Sequence, residues 1–395
     1  MKTTFIAIIL AAAPLAHGAT LLPAGAHDQV PTKLQSAPQA KALAATLDRK
    51  PVSVSHALDN NVTLDTAPQP FVAQSREFWS EVSESELRSG VKIVTTAPGA
   101  LIRLSPQGGT SAALDANSIL LRVNGSSASA AAVATVADAK ALRSAGMAVT
   151  DGTLALRLAA TAGSGEMEIA APHAQGRYLV HVFEPASTLV LNLTADRDTV
   201  LAGAAIVFHA DVAGAALRLA SGLATAPDGY SADLHFTRNP DGSFSATFTP
   251  DAAHSKGPQL WEAHAFTAAQ SGKLSVLRDA KTAFAVSAPS ARFAGGANVV
   301  RDGAGLRVSV DVTTSSASRY QVSAVLYGTG TDGALHAVAL AQSAAWLGNS
   351  GKIDLGFDAS AVAGLRAPFE LRDLRLLDQA SMSVIERRER GLVID

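Results

Sequence analysis

The residues that could do chemistry are present in this chain but scattered. Serine, histidine and aspartate are all plentiful, yet there is no G-x-S-x-G elbow, no S-x-x-K with its partner motifs and no phosphate-binding loop. A nucleophilic triad would have to be assembled from isolated residues. Four of the 10 histidines fall in strand-like stretches: His181 in YLVHVFE, His209 in IVFHADV, His235 in ADLHFT and His264 in WEAHAF. Residues i and i+2 of a strand share a face, so the nearest approaches to a ligand set are His209 with Asp211, His235 with Asp233 and His264 with Glu262. Each pair stops at two ligands, whereas zinc or copper wants three or four. Glu262 and His264 are also the closest approach to a base and an acid. Calcium would take oxygens from turns. Its candidates are Asp59-Asn60-Asn61, Asp196-Arg197-Asp198, Asn239-Pro240-Asp241-Gly242 and Thr331-Asp332-Gly333. None has the alternation of an EF-hand loop, and Asp, Asn and Gly are what tight turns select in any case. Of the tryptophans, Trp261 alternates with Ala263 and Ala265 as a core residue does, Trp346 precedes a glycine-rich turn, and Trp79 stands apart from both.

Composition narrows the classes further. The chain has 395 residues, 32 basic against 34 acidic, and no cysteine. The absent thiols remove disulfides, zinc-thiolate sites, iron-sulfur clusters and cysteine nucleophiles together. A net charge of −2 leaves no basic footprint for nucleic acid or anionic lipid. The mean hydropathy of +0.19 reflects abundant alanine, because no later run reaches spanning length. Aromatics at 5% are sparse for the girdles of a membrane barrel.

Residues 1–18, MKTTFIAIILAAAPLAHG, have the charged start, short apolar stretch and small closing residues of a secretory signal peptide. Residues 19–50 are rich in Ala, Pro, Gln and Thr without an apolar period, which predicts a flexible leader. A β-rich N-terminal domain is expected over 51–187, with strands at 51–58, 91–95 and 100–104. Ser83 and Glu86 have capping-box spacing, with Gly90 as the stop, and 135–145 is a second helical stretch. Residues 188–287 read as an immunoglobulin-like sandwich whose Asn239-to-Gly242 turn closes a hairpin, with a break at Asp279 in its last strand. It carries enough apolar surface to fold alone. Residues 288–395 read as a C-terminal β-sandwich, with a β-bulge near Asp373 where the apolar phase slips. The mixed-sign run Glu386 to Arg390 reads as a solvated strand edge.

The stretch DGSFSATFTP (241–250) followed by LWEAHAF (260–266) resembles the turn and return strand of immunoglobulin-like and filamin-like modules. The order of FVAQSREFW (71–79), TTAPGALIRLSP (95–106), YLVHVFEP (178–185) and APFELRDLRLLDQ (367–379) is similar to an uncharacterised family of secreted bacterial proteins that join a β-rich N-terminal unit to immunoglobulin-like modules. That resemblance implies architecture and carries no activity.

The fold class expected is therefore all-β: tandem immunoglobulin-like β-sandwiches behind a β-rich N-terminal domain with one or two short helices. The function expected is non-enzymatic binding, adhesion or scaffolding in the periplasm or outside the cell, toward a protein or glycan, with neither nucleic acid as partner nor membrane insertion after signal removal. A secreted hydrolase or a carbohydrate-binding accessory protein is the alternative. No catalytic, cofactor or metal residue is assigned and no cofactor is expected. The small residues Ala16 and Gly18 place the mature terminus at Ala19. Mass spectrometry of exported protein should find that terminus, and an intact Met1 on the exported form would refute it.

Overall fold

The computed structural model describes residues 15–36, 44–59, 64, 70–108, 112–255, 259–303 and 305–395. The fold is all-β. Among the described residues the strands form six sheets, and the α-helices Glu84–Ser89, Ala139–Ser144 and Ala359–Val362 are turns of four to six residues. No helix among the described residues is long and apolar enough to cross a membrane.

Period-two alternation builds the first unit. One sheet runs in the order Glu77–Val82, Arg177–Phe183, Leu101–Gln107, Leu154–Leu158, Val133–Asp138; the other runs Val91–Thr95, Gly165–Ala170, Leu120–Val123, Ser126–Ser127. Phe78, Ile102, Leu104, Tyr178, Val180 and Val182 of the first meet Ile93, Met167 and Ile169 of the second in one core. The expected capping box forms: Ser83 accepts from the Glu86 N–H, Glu86 accepts from the Ser83 N–H, and Leu87 of helix Glu84–Ser89 is buried. The second expected helix is half strand. Val133–Asp138 pairs in the sheet, and Asp138 caps the short helix Ala139–Ser144 by accepting from Ala141 N–H at 2.8 Å. The β-branched Val133, Thr135 and Val136 favour the extended form before that cap.

The second unit encloses its core between two five-stranded sheets. Their orders are Thr237–Arg238, Phe244–Phe248, Ile206–Ala213, Val190–Ala195, Val72–Ser75 and Thr199–Leu201, Leu274–Ser287, Trp261–Ser271, Ala216–Thr225, Ser231–Leu234. Trp261 is fully buried among Phe208, Phe244 and Phe284. Strand Leu274–Ser287 does not break at Asp279, which pairs with Phe266 in mid-ladder.

The third unit stacks the sheet Leu15–Thr20, Ala291–Asp302, Gly305–Thr314, Ser350–Asp358 on the sheet Val52–Ala57, Leu335–Leu347, Ser318–Thr329, Arg366–Asp378, Ser383–Ile394. The phase slip is resolved at Asp373, whose φ of 47° lets Leu371, Leu374 and Leu376 all turn inward. The charged run is not simply solvated. Glu386 is fully buried, accepts from Phe293 N–H at 2.8 Å and pairs with Arg388, and burial pushes its carboxyl above the usual range.

Two expectations about the leading residues are corrected here. The described part of 19–50 is held along the third unit: Ala19 pairs with Ala297, Leu22 N–H donates to Gly391 carbonyl, and Gln29 bridges Arg387. Arg319 Nη1 donates to the carbonyls of Asp48 and Lys50, and Arg49 lies 4.5 Å over the Trp346 ring. Strand Val52–Ala57, expected in the N-terminal domain, pairs instead with Leu335–Leu347. The arm lacks an apolar period because backbone pairing and scattered single side chains supply the attachment.

The first and second units are joined across a buried ion pair. Arg278 Nη2 meets Glu184 Oε2 at 2.5 Å, and both side chains are fully enclosed. Arg278 also donates to Leu189 carbonyl, Leu277 carbonyl, Thr96 Oγ1 and Ser187 Oγ, while Glu184 accepts from the backbone N–H groups of Thr96 and Ala97. An enclosed charge is tolerated when it is paired and bonded in this way. Residues 188–287 alone lack both Glu184 and the sheet-completing strand Val72–Ser75. A fragment 70–287 should therefore melt cooperatively and at higher temperature than 188–287 by circular dichroism. Equal melting temperatures would show that the joint adds nothing to the sandwich.

Candidate functional site

Two strongly perturbed titratable groups, Asp279 and His264, meet where the first unit's edge strand Glu77–Val82 lies against the outer face of Trp261–Ser271 and Leu274–Ser287. Alternation explains who faces the joint. On Leu274–Ser287 the residues Val276, Arg278, Ala280 and Phe284 point into the second unit, so Asp279 and Lys281 point out. On the paired strand Trp261, Ala263 and Ala265 point in, and Glu262, His264 and Phe266 point out. From the first unit, Trp79 and His181 are cross-strand neighbours on the apposed face.

These side chains form a continuous row. Phe266 and His264 have ring centroids 4.0 Å apart, His264 meets Trp79 edge-on at 5.8 Å, and Trp79 stacks on His181 at 4.8 Å. His181 Nε2 sits 2.7 Å from Glu77. Asp279 Oδ2 accepts the backbone N–H of Trp79 at 2.7 Å, capping a donor on the open edge of the first sheet. Burial is the largest influence on Asp279 and raises its carboxyl to about 7, with the Glu77 charge adding to the rise against the Trp79 bond. Burial likewise lowers His264 to about 4, helped by Lys281, and its enclosed Nε2 has no hydrogen-bond partner.

Of the sequence candidates, the structure brings His264 and His181 together through Trp79 and leaves the rest apart. Glu262 turns to Lys281 at 2.8 Å, outside the row. His209 bonds Ser245, Asp211 accepts from Asn192, and His235 and Asp233 are exposed on a different strand end. Two calcium candidates close their own turns, Asp241 accepting from Ser243 N–H and Asp332 from Ala334 N–H, and Asp196 accepts from Val207 N–H of the neighbouring strand. Asn60 and Asn61 lie outside the described residues. Among the described residues no three of His, Cys, Asp and Glu form a set able to hold a metal ion. The sequence reading missed Arg278, Glu184, Asp279 and Glu77. A signal existed for two of them: Arg278 keeps inward phase with Val276 and Ala280, and Asp279 is charged in mid-strand.

A carboxyl kept protonated beside a carboxylate is the arrangement of an acid and a base. Here, however, Asp279 is 4% exposed and engaged to backbone. Clefts of about 430 and 260 Å³ open elsewhere, beside helix Glu84–Ser89 and beside the arm strand Val52–Ala57. The cluster is thus built to hold two units together. Because the Asp279 carboxyl is raised in the folded state, its stabilisation is full below about pH 4 and is lost as pH rises through about 7. Melting temperature should fall between pH 5 and pH 8 more steeply in the wild type than in D279N, whose amide keeps the bond to Trp79. Parallel profiles would show that Asp279 does not titrate in this range.

The Domain of unknown function (DUF4785) N-terminal domain matches residues 43–184, and the DUF4785 C-terminal domain matches residues 290–395. The crystal structure of a DUF4785 family protein from Legionella pneumophila subsp. pneumophila str. Philadelphia 1 is similar over 94% of this chain and 98% of that one, with a TM-score of 0.69 and 20% identity, which shows a shared fold. Trypsin-activated α-2-macroglobulin from Escherichia coli matches over 76% of this chain and 22% of that one, with 11% identity and a TM-score of 0.20. No curated protein matches. With both terminal domains of one family matched over more than half of its length, the chain belongs to the DUF4785 family.

Proposed function

We propose that the protein is an exported, non-enzymatic binding scaffold of the periplasm or cell exterior, acting through loops and strand edges of units held in fixed relation. The observation that carries this reading is the joint itself. Two strongly perturbed side chains, Asp279 and His264, serve as mortar between two units, not as groups aimed into a cleft. The enclosed Arg278–Glu184 pair fixes the same joint from the core side. A rigid joint presents distant loops in one geometry, which lowers the entropy lost when a partner spans them.

One observation favours a glycan as the partner. At an end of the second unit Tyr230 stacks on His254 at 3.8 Å with 4° between ring planes, and Asp228 holds His254 Nδ1 at 3.0 Å. Tyr230 is 44% exposed, so an oriented ring is offered to solvent where a sugar could stack.

The test uses the full chain as bait against envelope fractions and spent medium, with a glycan array and a broad hydrolysis panel beside it. The scaffold reading expects a retained partner, no hydrolysis by the wild type, and unchanged retention by the double variant E262A/H264A. Loss of glycan retention in Y230A at an unchanged melting temperature would assign the Tyr230 end. Hydrolysis by the wild type that disappears in E262A/H264A at an unchanged melting temperature would replace the scaffold with an enzyme.

A further inference from the structure

Open sheet edges present unpaired N–H and C=O groups, and proteins blunt them with charge, brevity, bulges or cover. Most edges here are treated in one of these ways. Glu77–Val82 is docked through Asp279, Ser383–Ile394 carries Glu386 to Arg390 and meets the arm at Gln29, and Val133–Asp138 pairs with a shifted register at Arg157 and Leu158. Ser350–Asp358 carries Lys352, Asp354 and Asp358, and Val91–Thr95 carries Lys92. The edges Val72–Ser75, Ser126–Ser127, Thr199–Leu201, Ser231–Leu234 and Thr237–Arg238 have two to four residues. The edge Leu15–Thr20, LAHGAT, shows none of these protections, but all of it except Ala19 and Thr20 lies ahead of the expected mature terminus. Among the described residues the arm strand Val52–Ala57 likewise shows none. Its six residues, VSVSHA, contain no Lys, Arg, Asp, Glu or Pro, and they pair with Leu335–Leu347 in an unshifted register. Val52 and Val54 are 50% and 43% exposed, beside Leu340 at 36%.

The register says which backbone groups are open. Leu58 N–H donates to Val338 carbonyl, one step beyond the pair Ala57 and Ala339. In an antiparallel ladder bonded positions alternate, so Val52, Val54 and His56 turn their backbone groups toward Leu335–Leu347. Ser53, Ser55 and Ala57 turn theirs outward. The contact between Ser53 Oγ and Ser343 Oγ at 2.8 Å agrees, because side chains approach most closely at positions that do not share backbone bonds.

We propose that this edge is a self-association site, whose occupant is the same strand of a second copy of the chain, paired antiparallel about a two-fold axis at Val54. The chemistry is self-complementary. With the axis at Val54, Ser53 faces Ser55 of the other copy and the two exchange N–H to C=O bonds in both directions. Val54 faces Val54 at an unbonded position, where Cα atoms approach to about 4.5 Å. Val52 faces His56, so no two imidazoles meet. Val52 and Val54 of both copies then share one face, and the serines share the other. A shift by one residue sets outward groups against inward ones and loses the ladder. A shift by two one way replaces the valine pair with Val54 against His56, and the other way sets Pro51, which has no N–H to donate, against Ser55. The association joins two five-stranded sheets into one of ten and is isologous, as a closed dimer requires. So short a ladder falls below the roughly 1,200 Å² of a standard stable interface, and the dimer is therefore weak and concentration-dependent.

The absence of cysteine makes the register directly testable. Sedimentation of the full wild-type chain should show mass doubling as concentration rises. S55P removes an outward N–H without touching the bonds to Leu335–Leu347, and V54K puts like charges on the axis. Both should stay monomeric at the wild-type melting temperature, and V54K decides the matter if S55P fails to fold. Under mild oxidation V54C should give a disulfide-linked dimer, whereas A57C, which faces Pro51 of the other copy, should not. A wild type that remains monomeric throughout, or V54C cross-linking no more than A57C, overturns the proposal.

Discussion

Everything about how the first two units meet depends on one enclosed charge pair. Taking Arg278 and Glu184 out of water costs far more than their attraction returns unless every donor and acceptor is met. That demand recruits Thr96, Ala97, Ser187 and Leu189 from two separate stretches of chain. The pair therefore specifies one orientation of the units, since any other would leave a buried charge short of partners. The outer face adds a second constraint one residue along, where Asp279 caps a backbone donor on the neighbouring sheet's edge. Adjacent residues of one strand thus reach opposite faces of their sheet, Arg278 inside it and Asp279 outside, and both bind the first unit.

The third unit solves a different problem. Its two sheets are built mainly from residues after 290, yet the beginning of the chain pairs with both, one through Ala19 and Thr20 and the other through Val52–Ala57. The arm between those strands is fastened by the receiving unit's side chains: Arg388 reaches Leu22 carbonyl, Arg319 reaches Asp48 and Lys50, and Trp346 with Ala380 takes up Ala44 and Leu47. Such an attachment needs no repeating apolar face from the arm, only extended backbone and isolated side chains such as Asp28, Gln29, Leu47 and Arg49.

This difference explains what could be read in advance. The strands of the sandwiches were legible because inward and outward residues alternate strictly, and the capping box at Ser83 and Glu86 was legible because both partners lie within one turn. The slip at Asp373 was visible as a change of apolar parity. The arm was not legible, because its fastening lies in residues hundreds of positions away. Helix 135–145 was half misread because Asp138 acts as a cap and not as a helical residue. The joint was hidden for the same reason as the arm. A charged residue in an inward phase, as at Arg278, announces a buried partner, but the identity of that partner is a fact of tertiary structure. The solvated reading of Glu386 failed similarly, since its partner Phe293 is contributed by another sheet.

Stitching the start of the chain to its end has a consequence for the order of events during synthesis. Leu22 and Arg388 are separated by 366 positions, so the arm leaves the ribosome long before the sheets that receive it exist. Folding dominated by such distant pairings is slow, because loop closure must come before any contact rewards it. The first two units can close on themselves in the meantime. The third cannot acquire its outer strands until Ala291–Asp302 and Leu335–Leu347 are made. Completion of that unit is thus a check that synthesis has passed these strands: a product that stops before Ala291 keeps an unpaired arm, a feature that proteases and chaperones recognise.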